Sequence, residues 1–395
     1  MIAALREMNF LHAARARAWL RVLALGLALW AAVFLVARHG WVDRSGDVSA
    51  ADFSEYWSAA TLARAGHAAR VYDVQTLSPV EHEAVPINKG GYFAFYYPPS
   101  YLLLCMPMAF VSYLAALLGF SAVGLAAYLI VMRAYLPGPG RWMAILAYPG
   151  LLVTLLCGQN SLFSVACIGG YGLLLQRRPY LAGACLGMLA CKPQLALAAP
   201  VLLLCARRPA PIIGAATSFA ALFLLSGALL GFDAWQSFFA HLAEASRVTS
   251  AHVMNQSKLV SINEALRLVG LGARPALAAQ VAFALLGMAA AGYAGWHRVG
   301  GPGEAAMLSA VCLIISPHVG DYDLTVLSVA MAFMLNSGVR KRFMPWEKLT
   351  LLITYMLPVL GTGIAQRTGV QISPMVVLTL ALLTWRRLSA SPAAS

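Results

Sequence analysis

Hydrophobic residues in this chain run in long unbroken stretches separated by short polar breaks, with neither the alternation of a half-buried strand nor the narrow stripe of a surface helix. The stretches at residues 18–37, 113–132, 212–231, 276–296, 305–316 with its flanks, and 370–385 approach or reach the ~20 residues that a helix needs to cross a hydrocarbon core of roughly 30 Å. Two further apolar segments are ambiguous. Residues 97–133 fit one long crossing or a pair of short ones, and in 180–206 Lys192-Pro193 marks either a kink in one helix or the turn of a hairpin. The pattern predicts an all-α polytopic membrane protein of about 10–12 spans. It forms one transmembrane domain over residues 1–387, followed by a disordered Ser/Ala/Pro tail at 388–395.

Composition agrees. Hydrophobic residues make up 61% and charged residues 11% of the 395, with a mean hydropathy of +0.73, whereas soluble domains carry about 25% charged residues. Soluble globular and disordered classes are both excluded. The net charge of +13 invites a nucleic-acid reading, but its distribution argues against one. Arg15, Arg17 and Arg21, then Arg177-Arg178, Arg207-Arg208, Arg298, Arg340 to Arg342 and Arg386-Arg387 form short clusters between apolar runs. That is the positive-inside pattern of cytoplasmic loops and not the contiguous basic face of a nucleic-acid binder. All seven cysteines lie in apolar runs without a CxxC spacing, as small hydrophobes rather than a disulfide or zinc framework. The first apolar run is too long for a signal-peptide core and ends at Ala37-Arg38-His39 without a small-residue cleavage site, so it reads as an uncleaved span.

With the arginine clusters inside, both termini fall on the cytoplasmic side, and three polar segments share the other face: the large first loop at 38–95, a second loop at 232–262, and the compact turn 316–323. The first loop alone holds Asp43, Asp47, Asp52, Glu55, Asp73, Glu81 and Glu83, seven of the fifteen acids. Within it residues 54–65 predict a short amphipathic helix ended by Gly66, with turns at Pro86, Gly90 and Gly91.

Asp52, Glu55 and Tyr56 share one helical face. Asp52 suits a general base at the membrane surface, but Asp with Glu three residues on also suits a capping box. Tyr97-Pro98-Pro99 fits a helix start, where proline costs little. Gly158-Gln159-Asn160 breaks two apolar runs with amides that suit sugar hydroxyls or a polar turn. Lys192 inside an apolar stretch is costly unless it snorkels, pairs or lines a cavity, and a phosphate would repay that cost. Around His318, Asp321-Tyr322-Asp323 could hold a metal, contact a phosphate or simply cap a loop.

Taken together, these residues resemble glycosyltransferase family 87, integral-membrane transferases of the GT-C fold that include polyprenyl-phosphomannose-dependent α-mannosyltransferases. The resemblance rests on Asp52-Phe53 with Tyr56-Trp57-Ser58-Ala59-Ala60, Leu62 and Gly66, then Val71-Tyr72-Asp73, Tyr97-Pro98-Pro99, Gly158-Gln159-Asn160, the Gly183 and Gly187 helix leading into Lys192-Pro193, and Ser316-Pro317-His318 with Asp321 and Asp323. It implies a polyprenyl-phosphate sugar donor, mannose favoured among hexoses and pentoses, and a glycolipid or glycan acceptor on the periplasmic face of a bacterial inner membrane. It further implies Asp52 as general base of an inverting transfer and His318 beside the donor phosphate. Glu55, Tyr56, Tyr97, Gln159, Asn160, Lys192, Arg247, His318 and Asp321 form the expected substrate-binding set, with Lys192, His318 and, more weakly, Arg247 as cations for the phosphate. Glu55 departs from the pattern as an acid able to share or replace the role of Asp52. No cofactor or metal is expected. The alternative, a transporter or lipid flippase, requires ionisable residues in the middle of several spans, whereas here the acids gather in loops; a structural membrane subunit is the third possibility.

Overall fold

The computed structural model describes residues 2–36, 50–85, 93–138, 140–250 and 256–390. Twenty α-helices follow one another among them, and no strand: α1 Ile2–Glu7, α2 Ala13–Val36, α3 Ala51–Arg64, α4 Val74–Ala84, α5 Pro99–Cys105, α6 Tyr113–Tyr135, α7 Arg141–Leu146, α8 Pro149–Cys157, α9 Ser161–Leu174, α10 Pro179–Met188, α11 Pro193–Ala196, α12 Ala198–Ala206, α13 Pro209–Leu230, α14 Phe232–Ser250, α15 Ile262–Leu268, α16 Ala273–Trp296, α17 Gly301–Ile315, α18 Ser328–Lys341, α19 Glu347–Thr368 and α20 Ser373–Ser389. Six helices are long and apolar enough to cross a membrane, and five shorter apolar ones join them. The all-helical polytopic expectation holds. Long helices keep one face of exposed Leu, Val and Ile, such as Leu118, Val123 and Ile130 on α6 or Leu277, Val281 and Leu285 on α16, which only a lipid surround makes favourable. In contrast, α17 is too short to span alone and is buried at every residue but Pro302.

The basic clusters collect at one end. Arg298 donates to the Ala206 carbonyl at the end of α12 (3.1 Å), Trp346 N–H to the Arg6 carbonyl (2.8 Å) and Arg386 to the Pro345 carbonyl (2.7 Å). The acid-bearing segments collect at the other: Val260 N–H donates to the Val319 carbonyl (2.8 Å) and Gln371 to the Ser257 carbonyl (2.8 Å). There the first loop's α3 and α4 build a second hydrophobic core with α5 and the second loop's α14, around Phe53, Tyr56, Leu77, Phe95, Leu102 and Trp235.

Both ambiguous segments resolve. In 97–133, α5 and a 3₁₀ turn at Met106–Phe110 stay against α3, where Arg64 holds the Ala109 carbonyl and Trp57 the Val111 carbonyl, and α6 crosses alone. In 180–206 the chain makes a hairpin. A Cβ at Gly183 would lie 1.9 Å from the Pro211 carbonyl oxygen and one at Gly187 2.3 Å from that of Ala215, so α10 runs beside and parallel to the start of α13. Since α12 leads directly into α13, it returns to the end from which α10 set out, with Lys192 at the turn.

Three expectations need correction. The helix expected at 54–65 begins at Ala51 and is not amphipathic, because Phe53 through Tyr56, Ser58 through Ala60, Leu62 and Ala63 are all buried: its polar face meets other polar groups of the protein, not water. The second loop holds the 19-residue α14. Finally, α20 carries the chain past residue 387 to Ser389. The turns expected at Pro86, Gly90 and Gly91, together with Asp43, Asp47 and residues 391–395, lie outside the described residues.

Candidate active site

Asp52 stands in the first turn of α3, and its place is set by tertiary contacts. Ala50, left-handed at φ 53°, precedes the helix; its N–H donates to the Leu156 carbonyl (2.8 Å) and its carbonyl accepts from the Tyr113 hydroxyl (3.0 Å). The capping box is therefore absent. Ala50 is the N-cap, no side chain caps the helix, and both carboxylates are free for other partners. Opposite, Gly158 closes α8 at φ 71°, and a Cβ there would sit 2.7 Å from that of Phe53. Glycine alone permits both the left-handed turn and this approach, which together aim Gln159 at α3.

The Gln159 amide donates to Asp52 Oδ2 (2.9 Å). Its orientation follows from chemistry: Oε1 accepts from the Tyr56 hydroxyl (2.5 Å) and lies 3.4 Å from that of Tyr97, so the NH₂ faces the carboxylate. Tyr56 and Tyr97 touch at 3.0 Å, and their rings pack edge-to-face. The next residue continues the network, since Asn160 Oδ1 accepts from Lys192 Nζ (2.9 Å). Lys192 in turn forms an ion pair with Asp323 Oδ1 (2.6 Å), which also accepts from Ser161 Oγ (2.6 Å), while Asp323 Oδ2 takes the Gly320 N–H (3.3 Å). Of the alternatives open for this lysine, pairing is what the structure shows, with a protein carboxylate as the partner, and its ammonium also lies 5.1 Å from the centre of the Tyr322 ring.

Burial pushes the half-buried Asp52 carboxyl above the ordinary carboxylate range, against the pull of its Gln159 hydrogen bond and of the nearby Lys258 charge. Glu55 is fully enclosed and rises further, by burial first and then by the Asp52 and Glu81 charges. Glu81 is inaccessible to solvent; it accepts from Ser54 Oγ (3.3 Å) and the Phe93 N–H (3.0 Å), and burial lifts it to about 8.

Asp52, Tyr56, Tyr97, Gln159, Asn160 and Lys192 are therefore joined in one network, with Glu55 beside it. Asp321 and His318 are not. Asp321 takes the Thr362 hydroxyl instead (2.9 Å), because two residues on the 3₁₀ helix Asp321–Leu327 are turned about 240° apart. His318 is exposed, and its backbone is fixed by Ser316 Oγ, which accepts its N–H (3.3 Å) and donates to its carbonyl (2.9 Å). Among the described residues its ring makes no hydrogen bond to the network. The Arg247 side chain lies outside the described residues. Sequence reasoning marked Asp323 only as part of the same turn as Asp321 and left it out of the substrate-binding set, and it did not single out Ser161 or Lys258.

A profile of glycosyltransferase family 87 matches residues 95–317. More than half of the chain is covered, and the protein belongs to glycosyltransferase family 87, so that its class is membrane glycosyltransferase. Tyr97, Gln159, Asn160, Lys192 and Arg247 fall inside the match; Asp52 precedes it and His318 follows immediately. No curated protein and no solved structure matches the chain.

Proposed function

We propose that this glycosyltransferase takes its sugar from a polyprenyl phosphate, with mannose favoured, and passes it to a hydroxyl of an envelope glycolipid or glycan at the extracytoplasmic face, with Asp52 as general base. The observation that carries this reading is the state of Asp52 itself: a half-buried carboxylate whose Oδ2 is held by Gln159 while, among the described residues, Oδ1 accepts no hydrogen bond. Oδ1 is the oxygen left to receive a proton. The acceptor hydroxyl gives its proton to that oxygen as its own oxygen bonds to the anomeric carbon. The bond from that carbon to the donor phosphate oxygen breaks, and polyprenyl phosphate departs with the electron pair. Attack opposite the phosphate inverts the anomeric centre through an oxocarbenium-like transition state. One base suffices, since a phosphate leaves without a general acid when cations offset its charge.

Glu55 is the rival base. Its deeper burial favours the neutral acid, which supports Asp52 as the carboxylate that ionises first. For the leaving phosphate, the exposed Lys258, whose charge reaches Asp52 and Asp321, and the exposed His318 are better candidates than Lys192, which Asp323 already neutralises. A transporter or flippase path is not favoured, because among the described residues the one buried lysine, Lys192, is paired and tied to the same end as Asp52.

The test is transfer by purified protein from polyprenyl-phosphate sugars to envelope lipid extracts. Wild type transfers; Asp52→Asn folds and does not. Full transfer by Asp52→Asn removes the base assignment, and the same assay on Glu55→Gln then shows whether the neighbouring acid takes the role.

A further inference from the structure

At the basic end, far from Asp52, a groove of ≈ 430 Å³ opens between α12 and α16. Val201 and Cys205 form one wall, Met288, Gly292, Tyr293 and Trp296 the other. The groove lies among segments that cross or enter the bilayer, and its lining is almost wholly apolar, so its natural content is hydrocarbon. The mouth is different. Arg207 lays its guanidinium over the Trp296 ring at 4.2 Å, His297 borders the groove, and Arg298 reaches back to the carbonyls of Ala206 (3.1 Å) and Arg207 (3.5 Å).

Two details of the backbone bear on that mouth. Arg207 and Arg298 both close their helices in the left-handed region, at φ 51° and 46°, where glycine would be free of strain and an arginine is not. Among the described residues neither guanidinium forms an ion pair with a carboxylate. The buried acid nearby, Glu304, is taken by Arg208 (2.9 and 3.1 Å) and Tyr171 (2.5 Å). An apolar slot whose mouth carries guanidinium groups without a direct ion pair among the described residues, beside an indole ring, has the chemistry that suits an anionic lipid: acyl chain in the slot, phosphate on the arginines.

We propose that the groove between α12 and α16 is a binding site for one anionic phospholipid of the leaflet at the basic end, with its phosphate held by Arg207 and Arg298. A second copy of the chain is a poorer occupant, because in the same orientation it would bring the same arginines against these.

The full-length protein is reconstituted in phosphatidylcholine nanodiscs with and without phosphatidylglycerol. Its melting temperature and the phosphatidylglycerol retained in native mass spectrometry are measured. Phosphatidylglycerol is expected to raise the melting temperature of wild type. Arg207→Gly removes the charge and the backbone strain together; it should retain roughly fivefold less phosphatidylglycerol and lose the gain in melting temperature relative to its own phosphatidylcholine baseline. Gly292→Leu, which fills the slot beside Cys205 (a Cβ meets its Sγ at 3.3 Å), should lose the gain as well. Unchanged retention in Arg207→Gly overturns the proposal, as does a wild-type melting temperature indifferent to phosphatidylglycerol. A dimer abolished by Gly292→Leu overturns it in favour of a second copy.

Discussion

At the basic end of the bundle Glu304 accepts from Tyr171 (2.5 Å) and twice from Arg208 (2.9 and 3.1 Å), and Glu347 accepts from Arg387 Nε (2.7 Å), Arg387 Nη2 and the Met344 N–H (2.8 Å). At the other end, among the described residues, Asp52 has a single amide on one oxygen, and Glu55 and Glu81 are buried without a cation bonded to either. Both regions bury carboxylates, so burial alone does not distinguish chemistry from architecture. The difference lies in acceptor capacity. A carboxylate saturated by arginine is committed to the fold, whereas one left with an open oxygen, its pKa raised by desolvation, can still take a proton. The Lys192–Asp323 pair stands between these cases. It is saturated like the inner pairs, yet through Asn160 it fixes the residue next to Gln159.

Substitutions that treat the two ends alike break this comparison, and those that separate them sharpen it. The largest effect is expected at Asp52: Asp52→Asn should lower transfer by about 10²–10⁴-fold, the range for a lost general base, with little change in melting temperature. Next come the buried pairs. Arg387→Met strands Glu347 and should cost ~3–5 kcal/mol of stability while specific activity per folded molecule is kept. Lys192→Met should cost as much but also lower activity, and Lys192→Met with Asp323→Leu should recover most of the stability and none of the activity. Thermal melts beside transfer assays in nanodiscs separate these outcomes; equal activity loss in Arg387→Met and Lys192→Met would erase the distinction.

Two smaller effects concern protons. Gln159→Ala removes a hydrogen bond that favours ionised Asp52, so transfer should fall roughly fivefold and the acidic limb of the pH–rate profile should move to higher pH. A limb that stays in place would detach Gln159 from the base. For Glu81, lifted by burial from 4.5 to about 8, the folded state holds a proton that the unfolded state has released. Stability should therefore decline as pH rises between those values, and the whole penalty is present above 8. Glu81→Gln should flatten that decline in melts taken across the window.

Much of this was legible in the chain. Apolar runs located α2, α6, α13 and α16 among the helices long enough to cross, though not the spans at Asp321–Lys341 and Glu347–Thr368; arginine clusters marked helix ends, and Asp52, Tyr56, Tyr97 and Gly158-Gln159-Asn160 were marked as one set by order along the sequence. What was not legible depended on contacts between distant segments. Asp52 with Glu55 reads as a capping box until Leu156 and Tyr113 fix Ala50 as the N-cap. Nothing local distinguishes Asp323 from Asp321, since the choice is made by the phase of a 3₁₀ turn against Lys192 on one side and Thr362 on the other.

The sequence by itself thus determined a membrane-embedded helical bundle with its basic clusters between apolar runs, and its family. Hydrocarbon thickness, helical rise and the cost of burying charge act on short stretches of chain, and leave their mark there. Tertiary structure decided that residues 180–206 turn back, that α3 is enclosed rather than amphipathic, and that Asp52 is held through Oδ2 by Gln159 while, among the described residues, its Oδ1 accepts no hydrogen bond. Each depends on which polar groups meet across the bundle, and a buried acid's protonation and partners are set by that three-dimensional neighbourhood.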